Sequence, residues 1–215
     1  MTLIDGKSIS AKVKEEIKSA ASDLAAKGVE PALAVILVGE DAASKTYVAS
    51  KEKACAVCGI RSVAHRLSSD VSEAALLELI ENLNDDESID GILVQLPLPK
   101  HIDTNKILET ISPAKDVDGF AAINVGKLAS GLDGFVPCTP LGIMEIFKAY
   151  DINLEGKNAV VIGRSNIVGK PMANLLLNAN ATVTVTHSKT RNLKEICADA
   201  DILVVAIGRS DFVTA

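Results

Sequence analysis

Tryptophan is absent from this chain, and only two tyrosines and four phenylalanines occur in its 215 residues. The core must therefore be filled by Leu, Ile, Val and Ala, a composition that favours α/β layers. No uninterrupted apolar stretch approaches the length of a membrane span. The opening Met1-Thr2-Leu3-Ile4-Asp5-Gly6 lacks the charged-then-apolar order of a signal peptide, so the expected location is cytoplasmic. A net charge of −6 without a basic stripe interleaved with aromatics argues against general nucleic-acid binding. Cysteine is also scarce. Cys55 and Cys58 form a C-x-x-C that has no second pair and only His65 nearby, too few ligands for zinc. The pair lies at a helix end just before Gly59, where no helix dipole lowers a thiol pKa, so both are read as buried structural thiols.

What is present alternates regularly. An apolar stripe of Ile9, Val13, Ile17, Ala20 and Leu24 predicts a helix ending near Gly28, and Ala32 to Val38 is a continuous apolar strand. A helix over 43–58, a strand over 60–67 and a helix over 72–83 follow, the last with Asp70 and Glu73 at capping-box spacing. Ile89 to Gln95 is a further strand, and Asp103 opens a short helix through Leu108. This order predicts parallel sheets with right-handed crossovers. From Ser112 to Pro137 glycine and proline replace clear periodicity, which marks a loop-rich junction between two domains, 1–136 and 137–215. Thr139 as N-cap and Pro140 as first helical residue then open a helix linking them. Strand 159–163, helix 170–178, strand 182–186, helix 192–198 and strand 201–207 complete the pattern.

The segment Val160-Val161-Ile162-Gly163-Arg164-Ser165-Asn166-Ile167-Val168-Gly169-Lys170-Pro171 carries the most information. It reads as a buried strand running through a glycine turn into a helix, whose unpaired N-terminal N–H groups suit a pyrophosphate. The spacing departs from G-x-G-x-x-G, with Ser165 and Val168 in the second and third glycine places, so an ordinary βα connection stays open. After the next strand comes His187-Ser188-Lys189-Thr190-Arg191, where readers of NAD tend to place an acid. Donors there, together with Arg164, suit a ribose 2′-phosphate and predict NADP over NAD.

Three further groups could do chemistry. Tyr47 and Lys51 share one face of the helix 43–58, either as a ring beside a solvated amine or as a tuned pair containing a base. Gln95 closes a strand at the end where α/β sites gather, or merely anchors the loop Pro97-Leu98-Pro99. Asp116 and Asp118 flank Val117 before Gly119, either as a binding pair or as solvated carboxylates of an Asp-Gly turn.

Taken together, Ser44-Lys45-Thr46-Tyr47-Val48-Ala49-Ser50-Lys51, Gln95-Leu96-Pro97-Leu98-Pro99, Lys115-Asp116-Val117-Asp118-Gly119, Pro137-Cys138-Thr139-Pro140 and Gly163 to Pro171 resemble the bifunctional methylenetetrahydrofolate dehydrogenase/methenyltetrahydrofolate cyclohydrolase family. The resemblance covers essentially the whole chain, in order. It implies an N-terminal α/β catalytic domain and a C-terminal Rossmann-like domain, with tetrahydrofolate derivatives as substrates, NADP as cofactor and a homodimer. On the same basis Lys51 is the central catalytic group, Tyr47 lines the folate site, and Gln95 hydrogen-bonds the lysine and touches substrate. Asp118 anchors the pterin-like ring, and Gly163, Arg164, Ser165, Gly169 and Ser188 hold the cofactor; no metal is implied. Short-chain dehydrogenases also use Tyr-x-x-x-Lys, but there the glycine turn precedes the tyrosine. Family members continue beyond the position of Ala215, so the second domain is expected to be incomplete. Either a longer protein or a fragment with impaired cofactor binding fits.

Overall fold

The computed structural model describes residues 3–214. Two compact units result, one holding Asp5–Val117 and the other the chain from Asp118 on. The first contains α1 (Gly6–Ala25), β1 (Ala32–Val38), α2 (Ala42–Cys58), β2 (Arg61–Leu67), α3 (Glu73–Asp85), β3 (Gly91–Val94) and α4 (Thr104–Thr110). Its strands form a parallel sheet in the order β2-β1-β3, with Ile36 level with both His65 and Val94. Covered on both faces, β1 is apolar at every position, as a buried parallel strand must be. One face packs Ala34, Ile36 and Ile92 against Leu76, Ile80 and Ile107 of α3 and α4. The other packs Val35, Leu37 and Leu93 against Val48 of α2. Each large side chain removed from water here contributes about 1.5–3 kcal/mol.

The second unit contains α5 (Ala122–Ala129), α6 (Cys138–Ala149), β4 (Asn158–Ile162), α7 (Gly169–Asn178), β5 (Thr182–Thr186), α8 (Leu193–Ala198) and β6 (Ile202–Val205). Its parallel sheet has the order β5-β4-β6. Ala159, Val161 and Val204 meet Met172 and Leu176 of α7, with Ile143, Met144 and Phe147 of α6 packed alongside. Among the described residues no helix is long and apolar enough to cross a membrane.

Three local expectations are corrected. The stretch 112–137 is not all loop, because α5 lies within it. The helix α6 starts at Cys138 with Pro137 as N-cap, which puts Pro140 third. A proline there still removes only an N–H that the helix leaves unpaired. Ser72, not Asp70, caps α3, its hydroxyl accepting from Ala75 N at 3.2 Å. Glu73 turns instead to the start of α4. Cys55 and Cys58 are buried as expected, and burial, then the neighbouring Cys58, pushes the Cys55 thiol above its ordinary pKa. Cys138, by contrast, is exposed.

Candidate active site

Asp41 fixes where α2 begins. Its carboxylate accepts from Ser44 N at 2.7 Å, and this bond holds the carboxyl below its ordinary pKa. One turn apart on that helix stand Tyr47, 64% exposed, and the half-buried Lys51. Lys51 Nζ donates to Gln95 Oε1 at 3.2 Å. Gln95 is the first residue beyond β3, and its backbone N–H donates to Ile36 O at 2.9 Å, extending the ladder with β1. Its side-chain Nε2 donates to Leu96 O at 2.8 Å, which turns the acceptor oxygen toward the lysine. Helix α2 and the end of β3 thus bring together two residues 44 positions apart.

The aspartates behave differently from each other. Asp116 is 1% exposed and forms a parallel bridge with Ile92, so it is not the solvated turn carboxylate that the Asp-Gly pattern suggests. Lys115 holds this segment: its ammonium donates to Leu83 O at 2.9 Å and Asp86 O at 2.8 Å, at the C-terminal end of α3. Asp118 is half-buried, and Cys138 Sγ lies 4.0 Å from its Oδ1. That neighbour was missed in the sequence, where Cys138 reads only as part of a Pro-Cys-Thr-Pro motif.

In the second unit the glycine turn is as tight as its sequence suggests. A Cβ on Gly163, whose φ is 114°, would collide with the carbonyl of Ala206, and one on Gly169 would collide with the carbonyl of Gly163. The expected row of unpaired N–H groups at the start of α7 is not found. Ser165 Oγ accepts from Val168 N and Gly169 N, both at 3.2 Å, and Ser165 O accepts from Lys170 N at 3.0 Å. Pro171 has no N–H to offer. A serine in the place of the second glycine therefore closes the helix end from within. Arg164 and Ser188 are exposed, each two residues past the paired strand ends Ile162 and Thr186. The loop after β5 is ordered by His187 N donating to Thr190 Oγ1 at 2.9 Å and Thr190 N to His187 O at 2.8 Å. Lys189 and Arg191 are exposed on it, and no carboxylate lies between His187 and Arg191.

Comparison with known proteins fits both halves. The profile of the tetrahydrofolate dehydrogenase/cyclohydrolase catalytic domain matches residues 4–118, and that family's NAD(P)-binding domain matches residues 137–215. The chain belongs to the tetrahydrofolate dehydrogenase/cyclohydrolase family. It is 72% identical over 215 residues to the bifunctional protein FolD of Campylobacter hominis, covering all of this chain and 76% of that protein. The crystal structure of the bifunctional FolD enzyme from Campylobacter jejuni matches with a TM-score of 0.97 and 56% identity, over 99% of this chain and 76% of that one. A Trypanosoma brucei FolD structure, complexed with NADP and an inhibitor, matches with a TM-score of 0.92 and 38% identity, over 97% and 72% of the two chains. The two activities of this folate enzyme are accordingly a methylenetetrahydrofolate dehydrogenase and a cyclohydrolase, acting on tetrahydrofolate derivatives with a nicotinamide dinucleotide.

Proposed function

We propose that Lys51, Tyr47 and Gln95 form the catalytic group of this enzyme, that Asp118 holds the pterin-like ring, and that the cofactor is NADP. The reading of Lys51 rests on one observation, the 3.2 Å hydrogen bond from its Nζ to Gln95 Oε1. The overall sequence is oxidation of 5,10-methylenetetrahydrofolate to the methenyl cation, followed by hydration and ring opening to 10-formyltetrahydrofolate. When bound, NADP supplies the acceptor for the hydride that leaves the methylene bridge. Water adds to the methenyl carbon and loses one proton to give a carbinolamine, whose hydroxyl then loses its proton as the formyl C=O forms while the carbon–nitrogen bond to N5 breaks and N5 gains a proton, one proton being released overall. Lys51 carries those protons, neutral when it accepts and ammonium when it gives. Gln95 offers a fixed acceptor to the lysine and so orients its remaining lone pair or proton toward substrate. Tyr47, exposed one turn away, covers the folate ring, and Asp118 accepts from the amide and amino N–H groups of the pterin, fixing the substrate for both steps.

For the cofactor, Gly163 and Gly169 let the chain pack tightly on itself, which shapes the turn after β4 where we place the dinucleotide. Arg164 and Ser188 lie at matched positions for a 2′-phosphate, and the intervening loop has no carboxylate to repel one. Ser165 keeps α7 closed and presents the turn to the pyrophosphate. We further assign residues 1–136 to folate binding and 137–215 to NADP binding, with a homodimer in the cytoplasm as the working form.

The test is a spectrophotometric assay of the purified chain, intact mass checked, with 5,10-methylenetetrahydrofolate and either NADP⁺ or NAD⁺. Formation of reduced cofactor and methenyl product with NADP⁺ preferred is the expected result. Equal rates with NAD⁺ would remove the 2′-phosphate assignment to Arg164 and Ser188.

A further inference from the structure

Gln95 begins an irregular loop, residues 96–102, that ends where α4 starts. One end is tied to the sheet through Gln95 N and Ile36 O. Leu98 and Ile102 pack into the core, and Ile102 N donates to Pro99 O at 3.0 Å. The far end is tied by polar groups. Glu73, in the first turn of α3, accepts from Asp103 N at 2.8 Å through Oε2 and from Lys106 Nζ at 2.7 Å through Oε1. Asp103 in turn caps α4, accepting from Asn105 N and Lys106 N, and His101 Nε2 lies 2.8 Å from Val71 O. A carbonyl only accepts, so that imidazole nitrogen carries the proton.

We propose that Glu73 is a positioning residue for the cyclohydrolase step, clamping the far end of the loop that begins at Gln95. This inference rests on the reading of Gln95 as the partner of Lys51. Both carboxylate oxygens of Glu73 are engaged, one by backbone and one by an ammonium, so a single side chain locks the start of α4 to the start of α3. Without it the loop keeps its apolar anchors and the His101 contact with Val71 O but loses both bonds that tie the start of α4 to α3, and the Gln95 amide can drift from Lys51. Proton transfer is sensitive to such drift, since a displacement of about 1 Å can cost as much as 10²-fold. The hydride step depends on how substrate and cofactor are oriented and does not use this hydrogen bond.

The experiment compares Glu73→Ala, Glu73→Gln and Gln95→Ala, measuring both activities and the melting temperature of each. Glu73→Ala should lower cyclohydrolase kcat about fivefold with dehydrogenase kcat changed less than about twofold. Glu73→Gln keeps an acceptor for the Asp103 amide and should fall between it and the parent enzyme; it is read in the same way if Glu73→Ala does not fold. A merely structural role would lower both activities together, in step with the melting temperature. If Gln95→Ala is selective for the cyclohydrolase while the Glu73 variants are not, the clamp is overturned and the Gln95 reading stands. A Gln95→Ala enzyme that keeps its full cyclohydrolase rate overturns both.

Discussion

Both sheets put their first strand in the middle, β2-β1-β3 in one unit and β5-β4-β6 in the other, yet the connection that follows that strand is built in opposite ways. After β1 the chain turns quickly, Asp41 caps the helix, and the side chains proposed for catalysis stand on α2. After β4 the connection itself, residues 163–168, is the candidate site, and it is shaped by backbone packed against backbone at Gly163 and Gly169. The first arrangement concentrates function in a few replaceable atoms on a rigid support. The second spreads it over a path of the chain that only particular residue types can follow.

The contrast can be broken or sharpened by substitution. The largest effect is expected from Lys51→Met, which should cut cyclohydrolase kcat by roughly 10²–10⁴-fold while circular dichroism and melting remain those of the parent. Retention of the full rate would sink the assignment of Lys51. Gly169→Ala should act on the backbone: the new methyl meets the carbonyl of Gly163, and overpacking of this kind costs about 1–3 kcal/mol. Thermal unfolding and NADP titration should both be impaired, and an unchanged pair of values would show that the turn is not tightly constrained. Arg164→Ala comes next, with KM for NADP⁺ raised about tenfold, the scale of one charge-assisted hydrogen bond, and KM for NAD⁺ unaltered. Equal losses with the two cofactors would move Arg164 away from the 2′-phosphate.

The smallest effect concerns the cap of α2. The Asp41 carboxyl is held below its ordinary pKa by Ser44, so its stabilisation is present above the unfolded pKa and is lost as pH falls through the folded value. Asp41→Ala should therefore melt below the parent at neutral pH, the difference shrinking toward acid pH. A gap independent of pH would assign it to something other than the charged cap.

Both units could be read only in part from residues alone. Strands such as Ala32–Val38 were legible because a strand buried on both faces leaves an unbroken apolar run, and the pairing of Tyr47 with Lys51 follows from helical spacing. The helix α5 was not: Ala121 provides no side-chain cap, Gly126 interrupts it, and its apolar Ile123 and Val125 are exposed while Asn124 is buried, so its apolar residues do not mark the face that packs inward. Asp70 and Ser72 both have capping chemistry, and only the backbone decides between them. Ser165 reads in the sequence as a lost glycine, whereas its hydroxyl satisfies two backbone N–H groups. The buried Asp116 escaped for a similar reason, since an Asp-Gly sequence has the composition of a surface turn whether or not a strand lies beside it.

The shared strand order has a consequence for biosynthesis. Among the described strands of each unit, the middle one leaves the ribosome before either of its neighbours, so both are added at a free edge and neither has to be inserted between two already paired. With domains folding in the order of their synthesis, the first sheet can finish at β3 before β4 has been translated. A nascent chain of this protein thus grows outward from two templates in turn.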